Sequence, residues 1–234
     1  MKTILVAIHG ILTSQTDPSW PDRLDAWMYR RDPTVKVLKK EYRAGPFPRW
    51  NCWFKDPLLG RGLANEVELF LPSDKPAPAL WFVAHSNGAV IALLAAKRLI
   101  ESGHNVSGMI LTGAACEGDI DKNHVGQWLR ERRLGSAMAY SSAEDRVLPQ
   151  PATSSRSVIR AIYSVLARPY GSLGSTGWLR NGEPLSDIDR PFATLQTRWF
   201  AGGHSIYFMP AHIERTFEQI YQDIALSLQP DISQ

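Results

Sequence analysis

Six short apolar runs, most of them followed by a stretch of helical spacing, constrain this chain more than any other feature. Residues 3–8 read TILVAI and residues 79–84 read ALWFVA, with hardly a polar position in either. A strand wetted on one side alternates polar and apolar residues, whereas a continuous apolar run needs cover on both faces. Further runs lie at 106–112, 137–142 and 195–200, with a mixed, edge-like one at 35–42. Helical spacing appears at 21–31, 62–71, 87–102, 125–134, 155–167 and 211–228, and Gly103 stops the third of these helices. Such alternation forces right-handed crossovers and a mainly parallel sheet with helices on both faces. The expected fold class is α/β, about six strands in one domain spanning 1–234. Residues 46–57 read as a loop rich in proline and aromatics. Segment 150–190 reads as an insertion that could cap the site, with a Gly-rich stretch at 169–182.

Composition excludes several function classes. The apolar share is 44% and the charged share 21%, the balance of an ordinary globular domain. A net charge of +3 with interspersed signs calls for neither nucleic acid nor an anionic membrane. Arg130-Glu131-Arg132-Arg133 reads as the solvated, cation-favouring end of a helix. No run approaches the ~18 apolar residues of a membrane span. The N-terminal run is too short for a signal core, so the cytoplasm is the default compartment. Cys52 and Cys116 form no disulfide framework, and His85, His104, His124 and His212 show no ligand spacing, so no metal is expected. Oligomeric state is not legible.

In parallel sheets of this kind ligands sit beyond the carboxyl ends of the strands. His9-Gly10 follow the first run, Ser86 the third, Asp145 the fifth and His204 the last. A serine hydroxyl attacks a carbonyl only when a base takes its proton and a third group orients that base. One candidate for each role therefore falls on the edge where chemistry is built. The helix after Ser86 opens with Gly88-Ala89-Val90-Ile91-Ala92, apolar all round, and its positive end would favour an oxyanion.

These residues resemble the motifs of the α/β-hydrolase superfamily of serine esterases and lipases, in the superfamily's order along nearly the whole chain. Ala84-His85-Ser86-Asn87-Gly88 is similar to the nucleophile elbow G-x-S-x-G, with Ala in place of the first Gly. Residues 141–149, SSAEDRVLP, resemble the acid loop, with Ser142 where Gly is usual. Gly203-His204-Ser205 resembles the base loop and His9-Gly10 the oxyanion loop. The resemblance implies a compact α/β-hydrolase fold lacking two N-terminal strands. It implies Ser86 as nucleophile, His204 as base, Asp145 as orienting acid, and the backbone N–H groups of Ile11 and Asn87 as oxyanion hole. His9, Gly10, His85, Trp50 and Trp53 are candidates for substrate binding. No cofactor is implied, and the expected partner is a small-molecule ester.

Other readings stay open at this stage. Asp145 could merely close a turn, and Glu117, Asp119 or Asp121 could supply the acid after the preceding strand. His9 could be structural, and His85 could brace the elbow. Carboxylic ester hydrolysis is the primary expectation. A thioesterase, an acyltransferase, a polyester-type lipase or a non-catalytic binding module of the same fold are the alternatives. A nucleotide-binding flavodoxin-like protein would need a Gly-rich loop where His9-Gly10-Ile11-Leu12 stand.

Overall fold

A computed structural model describes residues 2–10, 19–42, 54–71, 77–145, 171–185 and 191–227. Its elements run in the order β1 (Thr3–Ile8), α1 (Trp20–Arg31), β2 (Val35–Lys40), α2 (Asp56–Glu68), β3 (Ala79–His85), α3 (Gly88–Glu101), β4 (Gly108–Thr112), α4 (Val125–Arg130), β5 (Ala137–Ser141), α5 (Leu173–Thr176), β6 (Leu179–Arg180), β7 (Glu183–Pro184), β8 (Leu195–Trp199) and α6 (Ile213–Ser227). Six strands form one sheet in the order β2-β1-β3-β4-β5-β8, and every neighbouring pair is parallel. The strand class, number and direction match the sequence expectation.

The continuous apolar runs have the predicted cause. Ile4, Val6 and Ile8 of β1 face one core with Leu80, Phe82 and Ala84 of β3, under α2 and α3. Leu5 and Ala7 face the other, with Trp81 and Val83, under α1 and α6. The two-residue period of the strand is thus spent on two buried faces. Helix α3 packs closely on the sheet because Ala89, Ala92, Ala95 and Ala96 line its buried side.

Several boundaries differ from the sequence reading. Helix α2 starts at Asp56 rather than 62, because Pro57 falls in the first turn, where no intrahelical N–H is missed. Helix α4 ends at Arg130, and Arg133 is not simply solvated: its guanidinium donates to the carbonyls of Ile100 and His104 at 2.9 and 3.1 Å. The Gly-rich stretch carries a small hairpin, β6–β7, turning on Asn181 (φ +52°) and Gly182 (φ +83°), the positive-φ pair that a tight hairpin turn requires. Leu173 and Trp178 beside it are buried in the core, while Arg180–Pro184 are exposed. The helix expected at 155–167 lies outside the described residues. Among the described residues no helix is long and apolar enough to cross a membrane.

Edge strand β8 is fastened to α6 by one fully buried carboxylate. Asp223 accepts from Tyr140 Oη at 2.6 Å, from Arg198 Nε at 3.0 Å and from a second Arg198 nitrogen. Tyr140→Phe removes one hydrogen bond and is expected to cost about 1 kcal/mol. Arg198→Met strands a buried carboxylate and is expected to cost more, about 3 kcal/mol. Urea denaturation of the two variants, read as the order of their midpoints, checks the ranking.

Candidate active site

The site is built on a strained turn. Ser86 leaves β3 with φ +55°, a left-handed backbone that costs a non-glycine residue roughly 1–2 kcal/mol. Its N–H donates to Thr112 O at 3.1 Å, and its carbonyl accepts from Ala89 and Ala115 N–H at 3.1 and 3.0 Å. Two glycines make room for the turn. A Cβ on Gly88 would lie 2.6 Å from the His9 carbonyl oxygen, and one on Gly10 would lie 2.8 Å from Ser86 Cβ. Through residues 80–89 only Ser86 is not buried, so the strain delivers one hydroxyl to the surface of an otherwise closed run.

His204, on the loop after β8, brings Nε2 to 2.9 Å from Ser86 Oγ and Nδ1 to 2.7 Å from Asp145 Oδ2. Asp145 is fully buried at the end of the loop after β5. Its carboxylate dictates the tautomer: the proton sits on Nδ1, which leaves Nε2 as acceptor for the serine hydroxyl. The rival acid Asp119 lies elsewhere. It accepts the N–H groups of Asp121 and Gly182 and holds the β6–β7 hairpin.

His85 and His9 surround this relay as neutral rings. His85 Nε2 donates to the His204 carbonyl at 3.1 Å, with ring centroids 4.9 Å apart, so it braces the base loop. Burial holds His85 down to about 3, with the nearby His204 adding to the effect. His9 Nδ1 accepts the Gly10 N–H at 2.7 Å, and burial takes that ring down to about 4 against the opposing pull of Glu41. Trp20 stacks on Phe208 at 4.2 Å and borders His9. Gly10 stands against the elbow itself. Ile11, Trp50 and Trp53 lie outside the described residues.

The contacts of four side chains here, Ser142, Asn87, Tyr42 and Asp56, escaped the sequence reading. Ser142, a departure from the usual Gly, donates its hydroxyl to Gly202 O and accepts the Glu144 N–H at 3.2 Å, tying the acid loop to the base loop. Asn87 does not cap α3 with its side chain. Its buried Nδ2 donates instead to Tyr42 Oη and Asp56 Oδ1, each at 3.2 Å. Neither Tyr42 nor Asp56 carries a local sequence signal. Among other groups, Cys116 is buried and burial pushes its thiol well up, so it is no nucleophile at neutral pH. The charged recess at the end of β2 has its lysines already paired, Lys39 with Asp22 and Asp25 and Lys40 with Glu66.

No protein-family profile and no curated protein matches the sequence. Solved structures do. An uncharacterized protein from Bacillus cereus ATCC 10987 aligns over 97% of this chain at 12% identity and a TM-score of 0.53; the match spans only 59% of that protein. Human thioesterase 2 aligns over 99% of this chain and 100% of its own at 12% identity and a TM-score of 0.50. RedJ, a thioesterase of the prodiginine pathway of Streptomyces coelicolor, aligns over 95% and 92% at 14% identity and 0.51. At these identities the likeness is one of fold. The chain has the α/β-hydrolase fold that these thioesterases share.

The two depressed histidines make stability depend on pH. The unfolded chain binds protons at both rings below about pH 6.5, and the folded chain refuses them until about 4 and 3. Their contribution is therefore complete above pH 6.5 and lost as pH falls toward those values. By pH 5 each ring is expected to remove about 2 kcal/mol. Urea midpoints at pH 7.5 and 5.0 measure the loss, and His85→Gln should shrink the difference between them.

Proposed function

We propose that this chain is a serine hydrolase that cleaves carboxylic esters through an acyl-enzyme on Ser86. The observation that carries the reading is the relay from Ser86 Oγ through His204 to the buried Asp145, at 2.9 and 2.7 Å. Ser86 Oγ adds to the acyl carbonyl while its proton passes to His204 Nε2, and Asp145 stabilises the imidazolium. The oxyanion is received by the N–H groups of Asn87 and Ile11, donors aimed at charge that exists only in the transition state. The tetrahedral adduct collapses, the C–O bond to the leaving group breaks, and His204 returns the proton to the departing alcohol. Water repeats the sequence, releasing the acid and restoring Ser86. His9, Gly10, His85, Trp50 and Trp53 are proposed to border the substrate, His85 from behind the base loop.

Thioester cleavage is the second reading, since a thiolate can leave from the same adduct. Its support is the fold held in common with human thioesterase 2 and RedJ. Both readings assign the same residues, so one substrate pair separates them.

A fluorophosphonate is expected to form an adduct on Ser86, seen by peptide mass spectrometry, and His204→Ala to suppress it. Absence of an adduct in folded wild-type protein would make the chain a binding module. Ser86→Ala and His204→Ala should each lower turnover by about 10⁴-fold or more, and the double variant by scarcely more than either. An oxygen ester and a thioester of one acyl group, compared by kcat/KM, decide the leaving group. Preference for the oxygen ester is expected.

A further inference from the structure

The Asn87 carboxamide poses a question that the relay leaves unanswered. The residue after Ser86 sits at the head of α3, where Asn ordinarily caps, yet its backbone is helical (φ −63°, ψ −20°) and its side chain makes no cap hydrogen bond. The amide is buried, and its nitrogen is turned away from Ser86 toward Tyr42 and Asp56. It reaches back to two groups that flank one connection in the sequence: Tyr42, two residues beyond β2, and Asp56, the first residue of α2. Both are hydrogen-bonded to the same nitrogen. Burial also pushes the Tyr42 phenol up, so it remains a neutral hydroxyl at any working pH.

A buried amide whose nitrogen donates to both a phenol and a carboxylate is fixed in direction, because turning it would set its oxygen, which has no hydrogen-bond partner among the described residues, against the Asp56 carboxylate. The Cα of Asn87 carries that amide on one side and the peptide N–H assigned to the oxyanion on the other. An oxyanion donor works only if it is in place before charge develops. The neighbouring Ser86 backbone is strained toward relaxation, and the tether on Asn87 opposes that relaxation from the helix side.

We infer that Tyr42 and Asp56 are positioning residues which, through the Asn87 carboxamide, hold the Asn87 peptide N–H in its oxyanion-binding position. The inference rests on the serine-hydrolase reading and adds two residues to it that never touch substrate. It predicts a defect in kcat rather than in KM, because the ground-state carbonyl makes weaker use of the donor than the oxyanion does.

The test compares Asp56→Asn, which keeps an acceptor oxygen for the Asn87 amide, with Asp56→Leu, which removes it. Wild-type labelling of Ser86 by the fluorophosphonate is the control: if it fails, the hydrolase reading fails and the positioning question does not arise. With labelling intact, Asp56→Leu is expected to lower kcat by about 10- to 100-fold, less than outright loss of an oxyanion donor, with KM within about 3-fold. Asp56→Asn should recover most of that loss. Tyr42→Phe keeps packing and removes one acceptor, so a kcat loss of a few-fold with unchanged KM is expected even if Asp56→Leu does not fold. The inference is overturned if both Asp56→Leu and Tyr42→Phe retain wild-type kcat. It is equally overturned if the losses appear in KM, or if Asp56→Asn is as impaired as Asp56→Leu.

Discussion

The left-handed backbone at Ser86 is the constraint on which the rest of the site depends. A strand running into a helix would relax to an ordinary turn unless neighbours forbade it. Here the end of β4 holds both sides of the Ser86 peptide, through Thr112 and Ala115. The first strand contributes Gly10 and the His9 carbonyl, packed so close to the elbow that no Cβ fits at Gly10 or Gly88. These contacts come from the two strands that flank β3 in the sheet. A central place in a parallel sheet is what lets the turn be gripped from both sides.

Charge is distributed with equal economy. Three imidazoles crowd the carboxyl edge, and two of them, His9 and His85, are kept neutral by burial. His204 is hydrogen-bonded through Nδ1 to Asp145, a carboxylate completely withdrawn from water. The neutral rings still contribute hydrogen bonds: His85 to the base loop, His9 to the Gly10 N–H.

Much of this was legible from the residues because parallel sheets impose a simple rule. Ser86, Asp145 and His204 each interrupt or follow an apolar run, and the topology brings the ends of such runs to one edge. The polar shell behind them was not legible. Tyr42 reads as the end of an edge strand and Asp56 as a loop residue, and their meeting on Asn87 depends on how two distant segments pack, which no local spacing encodes. Ser142 looked like a missing glycine because its bond to Gly202 crosses between loops. Other misses had signals. Asn181-Gly182 is a hairpin turn by composition inside a Gly-rich stretch, and Pro57, which reads as the end of a loop, stands in the first turn of a helix.

On the proposed reading, the distance along the chain between Ser86 and His204 has a consequence for biosynthesis. Ser86 and His204 are 118 residues apart, and β8, the strand that precedes His204, lies at one edge of the sheet. A chain leaving the ribosome would already have made its elbow while the base was still unsynthesised. In that interval the serine would be an ordinary alcohol, inert toward acyl groups in its surroundings. Reactivity would switch on only when β8 docks and Asp223 on α6 clasps Arg198. On that reading the edge strand carries the base, and fraying there would separate His204 from Ser86.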